Sequence, residues 1–252
     1  MITQRIFTIA LLITVYHSFM YGQVTDSIPE KKENKTTEII KIAIPSAMIT
    51  YGLISLGDNG IRKADFNVHN SLESNNRFWN TDVDNYLQFA PAVAAYTMKF
   101  CKVESTHNLL DMTILYGLSN MLAGGIVQGT KMVSSRERPD NSNNFSFPSG
   151  HTETAFVAAE FLYQEYKSKS IWISVGGYSA ATFVGAARVY KNRHWVSDVV
   201  AGAGIGILST KVVYWAYPYF RKKLEKKNKP LNSVIIPGYS NGNISLALSY
   251  TF

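Results

Sequence analysis

Apolar segments separated by polar loops constrain the fold of this 252-residue chain more than any other feature. The segments recur along the middle of the chain, and each is long enough for a helix of three turns or more. They are Ile42–Gly57, Tyr86–Met98, Met112–Thr130, a stretch that follows Pro148, Ser149 and Gly150, Ile171–Ala187 and Val199–Phe220. Several are rich in glycine, alanine, serine and threonine, which allows close helix packing. The sequence therefore predicts an all-α domain with a six-helix core bundle.

The chain begins with a segment that is typical of export. Arg5 precedes an uncharged run from Ile6 to Gly22, and polar residues follow, as after a secretory signal. Met20 occupies the position where a second small residue usually precedes the cleavage site, so an uncleaved anchor is the alternative. The predicted order is a signal peptide or N-terminal anchor, a polar linker and a helical domain, at residues 1–22, 23–37 and 38–229.

The tail, residues 230–252, has a different pattern and predicts a short C-terminal β-hairpin. Asn241 and Gly242 form the dipeptide that most favours a two-residue hairpin turn. After this turn, large apolar residues from Ile244 to Phe252 alternate with small or polar ones, as in a half-buried strand. Two strands cannot close a membrane barrel. We therefore expect the hairpin to pack against the helical body.

The basic residues are concentrated beside apolar segments. They give a net charge of +7, with clusters at residues 31–35 and 221–229. Anionic lipid headgroups attract clusters in such positions. This arrangement favours association with a membrane and no nucleic acid partner.

Metal and disulfide chemistry have little support in the sequence. Cys101 is the only cysteine, so no intrachain disulfide can form, and we predict that it is a small buried apolar residue. His17 lies in the predicted signal, and His69 and His107 lie in predicted loops without the spacing of metal ligands. We expect neither a metal nor another cofactor.

Residues 58–85 form the longest polar stretch inside the helical domain and are rich in asparagine. This composition predicts an extended loop with a short helix. A loop of this length often has a role as a lid or in recognition.

Three clusters of residues suggest phosphate chemistry. In the first, Lys131 ends an apolar helix and Arg138 precedes Pro139, which disfavours helix at the arginine and bends the chain. Two cations can thus converge on one anion, although basic residues at a helix end usually have only a solvated role. In the second, Ser149 and Gly150 precede His151 at a predicted helix start, where free N–H groups favour an anion.

The third cluster joins the last two predicted helices and contains Arg188, His194 and Asp198. If a helix begins near His194, Asp198 lies one turn later on the same face. A carboxylate bonded to one imidazole nitrogen orients the ring and leaves the other nitrogen free to attack. Taken alone, such a pair is more often a helix cap or a surface pair.

Together, the three clusters resemble the three signatures of the type 2 phosphatidic acid phosphatase superfamily, which includes class A acid phosphatases and vanadium haloperoxidases. The resemblance implies that His194 is the nucleophile, that Asp198 orients it and that His151 protonates the leaving group. It further implies that five residues bind the substrate phosphate: Lys131, Arg138, Ser149, Gly150 and Arg188. No metal is implied.

Two departures from the family pattern are visible. Ala187 stands where the family commonly has serine, which removes one hydrogen bond to phosphate, and the loop from Asp140 to Phe147 is short. The resemblance implies no role for four nearby residues, for which we predict surface or helix-end positions: Arg136, Asp140, Lys191 and Arg193.

The apolar helices and basic clusters favour a lipid phosphate as substrate, such as phosphatidic acid, a polyprenyl diphosphate or lipid A. A bacterial envelope enzyme with its active site facing the periplasm fits the distribution of basic residues. Mean hydropathy of −0.05 is low for six spans, which slightly favours a periplasmic membrane-associated enzyme over an integral one. The alternatives are a soluble class A-like acid phosphatase, a vanadate-dependent haloperoxidase and a non-catalytic binding protein. The oligomeric state is left open.

Overall fold

The computed structural model describes residues 35–75, 78–79, 81–227, 233–240 and 243–250, and side chains within residues 39–222 of that part. The predicted signal or anchor and most of the linker lie outside the described residues. The described part contains eight helices: α1 Lys35–Ile54, α2 Gly60–Ser74, α3 Val83–Leu87, α4 Ala90–Phe100, α5 Leu109–Ser134, α6 Gly150–Tyr166, α7 Ile171–Tyr190 and α8 Val196–Lys227. The helical domain is therefore all-helical, with two helices more than the six we predicted.

Both additional helices begin within residues 58–85, where we predicted an extended loop with a short helix, so the predicted loop was wrong for the fifteen residues of α2. Asn59 caps α2, because its side-chain oxygen accepts hydrogen bonds from the N–H groups of Ile61 and Arg62, at 2.9 and 3.2 Å. The buried residues of α2 are Asp65 and Leu72. Since a carboxylate takes part of the face that an apolar residue would normally occupy, the apolar periodicity that signals a helix is weak here.

Helix α6 is the central helix of the bundle. It packs against α4, α5, α7 and α8, and it is buried on nearly all sides. Its buried residues include three glutamates as well as the apolar side chains of the core: Glu153, Glu160 and Glu165. Because the second motif stands at the start of this helix, His151 lies among the surrounding helices.

Close approach of α8 to α6 depends on two glycines. A Cβ atom at Gly202 would lie 2.5 Å from the carbonyl oxygen of Ser149, and one at Gly206 would lie 2.6 Å from that of Glu153. Both distances are too short for any side chain. The glycines therefore let the start of α8, which carries Asp198, lie directly beside the start of α6.

The C-terminal backbone forms two antiparallel strands, β1 Ser233–Ser240 and β2 Asn243–Tyr250. Residues Asn241 and Gly242, at the predicted turn, lie outside the described part. Packing of these strands against the helices stays a prediction.

The outer surface of the bundle is unusually apolar. Helix α5 and the Val196–Lys222 part of α8 are long and apolar enough to cross a membrane. Large apolar side chains with more than two thirds of their surface exposed include Leu110, Met121, Met132, Trp172 and Trp215. Cys101, at the end of α4, is also exposed, so our prediction of a buried cysteine was wrong. It ends a helix at the surface, where no core packs around it.

Candidate active site

The three motif segments meet at one end of the bundle. The backbone N–H of Ser149 donates to the carbonyl of Asp198 at 3.0 Å, which joins the second motif to the third. The N–H of Ser146 donates to the carbonyl of Arg136 at 3.0 Å, which joins the loop before α6 to the first motif. Helix α5 ends here because Ser135 adopts the left-handed conformation, with φ of 44°.

His194 and Asp198 form a fully buried pair. The Nδ1 atom of His194 lies 3.6 Å from Oδ2 of Asp198, which suits an ion pair but is longer than a hydrogen bond. In the described part of the chain, this Nδ1 has no hydrogen-bond partner. Oδ2 instead accepts hydrogen bonds from the Trp195 N–H, at 3.0 Å, and from the Ser146 hydroxyl.

Burial sets the protonation state of His194. Loss of water lowers its pKa to about 4, and the nearby charges of Lys131 and Arg188 act in the same direction. Asp198 opposes both effects, but at 3.6 Å its influence is weaker than that of a bonded carboxylate. The imidazole is therefore neutral near pH 7, which is the form that can attack an electrophile.

His151 lies in the first turn of α6. Its Nε2 atom is 3.0 Å from Oδ1 of Asn85, a residue of α3. Burial and the nearby guanidinium of Arg188 lower the pKa of His151 to about 4. Sequence reasoning missed Asn85, because it belongs to the polar stretch that we predicted to be a loop and no motif marks it.

Arg188 is held by a second residue that the sequence analysis missed. Its Nη1 donates to Oδ2 of Asp84 at 2.7 Å, and Lys191 donates to the other oxygen of the same carboxylate at 2.9 Å. Burial acts to raise the pKa of Asp84, but these two cations outweigh it and hold the pKa below its usual value. Helix α3 thus supplies a partner both to Arg188 and to His151.

Two predicted phosphate-binding arginines keep unpaired donors. The Nε atoms of Arg138 and Arg188 are buried and have no hydrogen-bond partner in the described residues. Burial and the charge of Arg188 together lower the pKa of Arg138, so the two guanidinium groups lie near enough to repel each other. The oxygens of a phosphate group could accept hydrogen bonds from such buried, unpaired donors on adjacent cations.

The remaining predicted phosphate ligands differ in whether their donor groups already have hydrogen-bond partners in the protein. Lys131 donates from Nζ to the carbonyl of Phe145 at 2.7 Å. The N–H of Ser149 is occupied by Asp198, and its hydroxyl accepts from Thr152 at 2.9 Å, so Ser149 braces the motifs against each other. The first-turn N–H groups of Gly150 and His151 have no preceding helical turn to bind.

Arg136 is a correction to our prediction of a surface or helix-end position. It is 5% exposed and forms ion pairs with both Asp65 and Asp198. One of these partners, Asp65, lies on α2, a helix that we did not predict. Nothing in the sequence therefore indicated that the guanidinium of Arg136 would be buried. Arg193 and Asp140, by contrast, pair with each other at 2.8 Å in a partly exposed position.

No group of three or more His, Cys, Asp or Glu side chains could hold a metal ion within the described part of the chain. His69, which we placed in a loop, lies in α2 and packs its ring against Trp195 at 5.6 Å. At this end of the bundle the structure brings together the imidazoles of His151 and His194 and a set of cations. Such a constellation can transfer a phosphoryl group.

Comparisons with known proteins give the same family as the motifs. Residues 112–222 match the model of the PAP2 superfamily. A lipid A 1-phosphatase of Porphyromonas gingivalis is 33% identical over 208 residues, which cover 79% of this chain and 44% of that protein. Phosphatidylglycerophosphatase B of Bacillus subtilis is 33% identical over 113 residues, which cover 39% of this chain and 53% of that protein. The chain therefore spans about half the length of these relatives, or less.

Among solved structures, a transmembrane PAP2 type phosphatidylglycerolphosphate phosphatase from Bacillus subtilis is similar, with a TM-score of 0.48 and 22% identity. The similarity covers 75% of this chain and 98% of that one. The resemblance that the motifs predicted is confirmed by the family match, whose range contains all eight predicted site residues. The chain belongs to the PAP2 superfamily.

Proposed function

We propose that this protein is a metal-independent phosphatase that hydrolyses a phosphate ester or diphosphate on a lipid through a phosphohistidine on His194. The observation that carries the proposal is the pairing of a buried neutral imidazole with two adjacent arginines whose buried Nε donors are unpaired. The cations stabilise the phosphoryl oxygens, and the imidazole attacks phosphorus.

In the first step, a nitrogen of His194 forms a bond to phosphorus while the bond from phosphorus to the leaving oxygen breaks. Since Nδ1 faces Asp198, Nε2 is the attacking atom. The ring becomes positively charged, and Asp198 stabilises this charge once Nδ1 moves into hydrogen-bond range.

His151 acts as the general acid for the leaving group in the same step. It must carry a proton at that moment, although its pKa is about 4 in the protein alone. A bound phosphate dianion raises this pKa, because a nearby negative charge favours the imidazolium. His151 then gives its proton to the leaving oxygen and later takes one from the water that hydrolyses the phosphohistidine.

The exposed apolar surface supports a lipid substrate and a membrane location. Two helices of membrane-spanning length and many exposed large apolar side chains, such as Met121 and Trp215, would be costly in water. This favours an integral membrane enzyme over the periplasmic membrane-associated form that mean hydropathy suggested. The names of the two relatives, a lipid A 1-phosphatase and a phosphatidylglycerophosphatase, also favour a lipid phosphate. We place the active site on the periplasmic face because the described basic residues Lys99, Lys169 and Arg221 lie at the opposite end of the bundle, near the start of α5.

Phosphate release by the purified full-length protein tests the function. A panel of phosphatidic acid, phosphatidylglycerophosphate, a polyprenyl diphosphate and lipid A is compared with p-nitrophenyl phosphate, with and without chelator and vanadate. We expect lipid turnover that a chelator leaves unchanged and vanadate inhibits. Preference for p-nitrophenyl phosphate would indicate a soluble-type acid phosphatase, and bromide oxidation with added vanadate would indicate a haloperoxidase.

A separate fractionation tests the location. Alkaline washing removes peripheral proteins from membranes but leaves spanning ones in place. We expect the protein in the pellet, and its release into the supernatant would contradict an integral location.

A further inference from the structure

Behind the pair of His194 and Asp198 lies a chain of buried ionic contacts. Nη1 of Arg136 donates to Oδ1 of Asp198 at 2.7 Å, and Nη2 of the same arginine donates to Oδ2 of Asp65 at 2.8 Å. The three side chains are 3% exposed or less. One guanidinium therefore connects the orienting carboxylate to a second carboxylate on another helix.

Further hydrogen bonds fix the position of Asp65. Its Oδ1 accepts from the N–H of Ser197 at 3.0 Å, and its Oδ2 accepts from the Ser197 hydroxyl. Ser197 lies in the first turn of α8, next to Asp198, so Asp65 also binds the positive end of that helix. The same Nη1 of Arg136 donates to the hydroxyl groups of Ser55 and Ser197, at 3.1 and 2.8 Å.

The two oxygens of Asp198 have different partners as a result. Arg136 binds Oδ1, whereas Oδ2 faces His194 and accepts hydrogen bonds from Trp195 and Ser146. A cation on one oxygen withdraws negative charge from the other. A carboxylate bound in this way attracts a proton on His194 less strongly than a free one would.

We infer that Asp65 and Arg136 are positioning residues for Asp198 that set how strongly its carboxylate acts on His194. The inference rests on the proposed function, in which His194 attacks as a neutral imidazole. Arg136 weakens the field of Asp198 at the imidazole. Asp65 restores part of that field by partly neutralising Arg136. The two residues therefore act on His194 with opposite signs.

The direction in which each substitution shifts the pKa of His194 distinguishes this role from a purely structural one. Removal of Arg136 leaves Asp198 with its full charge, which raises the pKa of His194. Removal of the charge on Asp65 leaves the charge of Arg136 uncompensated, which lowers the pKa of His194. Loss of packing alone would not shift His194 in opposite directions. The other charged or titratable groups near this pair stay the same in both variants: Lys131, Arg138, Arg188 and His69.

The experiment measures the titration of His194 in the full-length protein by NMR of ¹⁵N-labelled histidine, with a His194→Gln variant to assign the signal. Wild type is compared with Asp65→Asn, Arg136→Met and Arg136→Lys. We expect a shift of about 0.5 to 1 pH unit downward for Asp65→Asn and a similar shift upward for Arg136→Met. Arg136→Lys should stay close to wild type, because lysine keeps the charge.

Glu160→Gln is the matched control. Glu160 is also buried and paired, with Lys211 at 2.8 Å, but it lies toward the far end of α6 from His151. This substitution removes the same charge from a buried ion pair, and we expect no shift of His194. Thermal unfolding of each variant reports separately on stability.

The acid limb of the pH profile of phosphate release should move in the same directions as the NMR titration. Unshifted titrations, or shifts of the same sign in Asp65→Asn and Arg136→Met, would overturn the inference. If Arg136→Met does not fold, Asp65→Asn decides alone, because its amide oxygen still accepts from the Ser197 N–H, while the charge and the hydrogen bond from Arg136 are lost. An inactive wild type with opposite NMR shifts would contradict the proposed function and not the effect on His194.

Discussion

Nδ1 of His194 lies 3.6 Å from Oδ2 of Asp198, and the Trp195 N–H and the Ser146 hydroxyl bind that same oxygen. Other donors thus hold Asp198 in place, and the imidazole lies beyond hydrogen-bond distance from it. The attraction between the Asp198 carboxylate and the imidazole is strongest when the ring becomes positively charged. A contact that strengthens in this way lowers the barrier to attack rather than stabilising the bound substrate.

Asp198→Asn tests this difference between ground state and transition state. We expect kcat to fall by about 10² to 10⁴ with little change in KM, because the amide cannot stabilise the imidazolium. Steady-state kinetics on one lipid phosphate would measure both constants. A rise in KM at unchanged kcat would instead assign Asp198 to substrate binding.

The role of His151 as an acid predicts a dependence on the leaving group. His151→Asn should slow the release of phosphate from an alkyl phosphate far more than from p-nitrophenyl phosphate, because p-nitrophenolate leaves without a proton. Asn85→Ala should cause a smaller loss of about tenfold, since it removes the contact to Nε2 but leaves the imidazole of His151 in place. Equal losses on both substrates in His151→Asn would argue against proton donation by this residue.

The approach of α8 to α6 predicts an effect of Gly202→Ala on both stability and activity. The added methyl group would clash with the carbonyl of Ser149, and we expect a cost of about 1 to 3 kcal/mol in the free energy of unfolding. The activity should fall as well, because Ser149 joins the second and third motifs.

Gly124→Ala in α5 is the control for this prediction. A Cβ atom at Gly124 would meet nothing within 4 Å, and alanine favours a helix by about 0.5 to 1 kcal/mol. Thermal unfolding should therefore leave this variant unchanged or more stable. Equal destabilisation of both variants would contradict the packing described for Gly202.

The neutral state of His194 predicts that the stability depends on pH. Its pKa is about 4 in the folded protein and about 6.5 in an unfolded chain. Between these values the unfolded chain binds a proton that the folded protein does not, so the free energy of unfolding decreases as the pH falls. This residue contributes about 3 kcal/mol to the decrease between pH 6.5 and pH 4.

Denaturant unfolding of wild type and His194→Asn across this range measures the effect. Asparagine does not titrate, so the variant should show a flatter dependence on pH. Identical slopes in the two proteins would mean that His194 is protonated in the folded state.

The sequence predicted those parts of the site that depend on local patterns. His151 follows Ser149 and Gly150 at the start of a helix, and Asp198 lies four residues after His194, so both placements follow from positions close together in the chain. The apolar segments likewise predicted most of the helices. A motif is readable when all of its residues lie within a few turns.

Contacts between distant segments could not be predicted in this way. Asp65 reaches Arg136 and Asn85 reaches His151 across more than sixty residues of the chain. Asp65 occupies part of the buried face of α2, and α3 has only five residues, of which Asp84 is the buried one. Neither helix therefore shows the apolar periodicity that signals a helix in the sequence.

The central claim is that His194 carries the phosphoryl group during turnover. Phosphohistidine survives alkali and is lost in acid, so an alkaline quench of the enzyme with labelled substrate, followed by peptide mapping, measures it directly. We predict that the label lies on the peptide containing His194 and is absent in His194→Ala, which should also release no phosphate although it stays folded. Full phosphate release by purified His194→Ala would contradict the account.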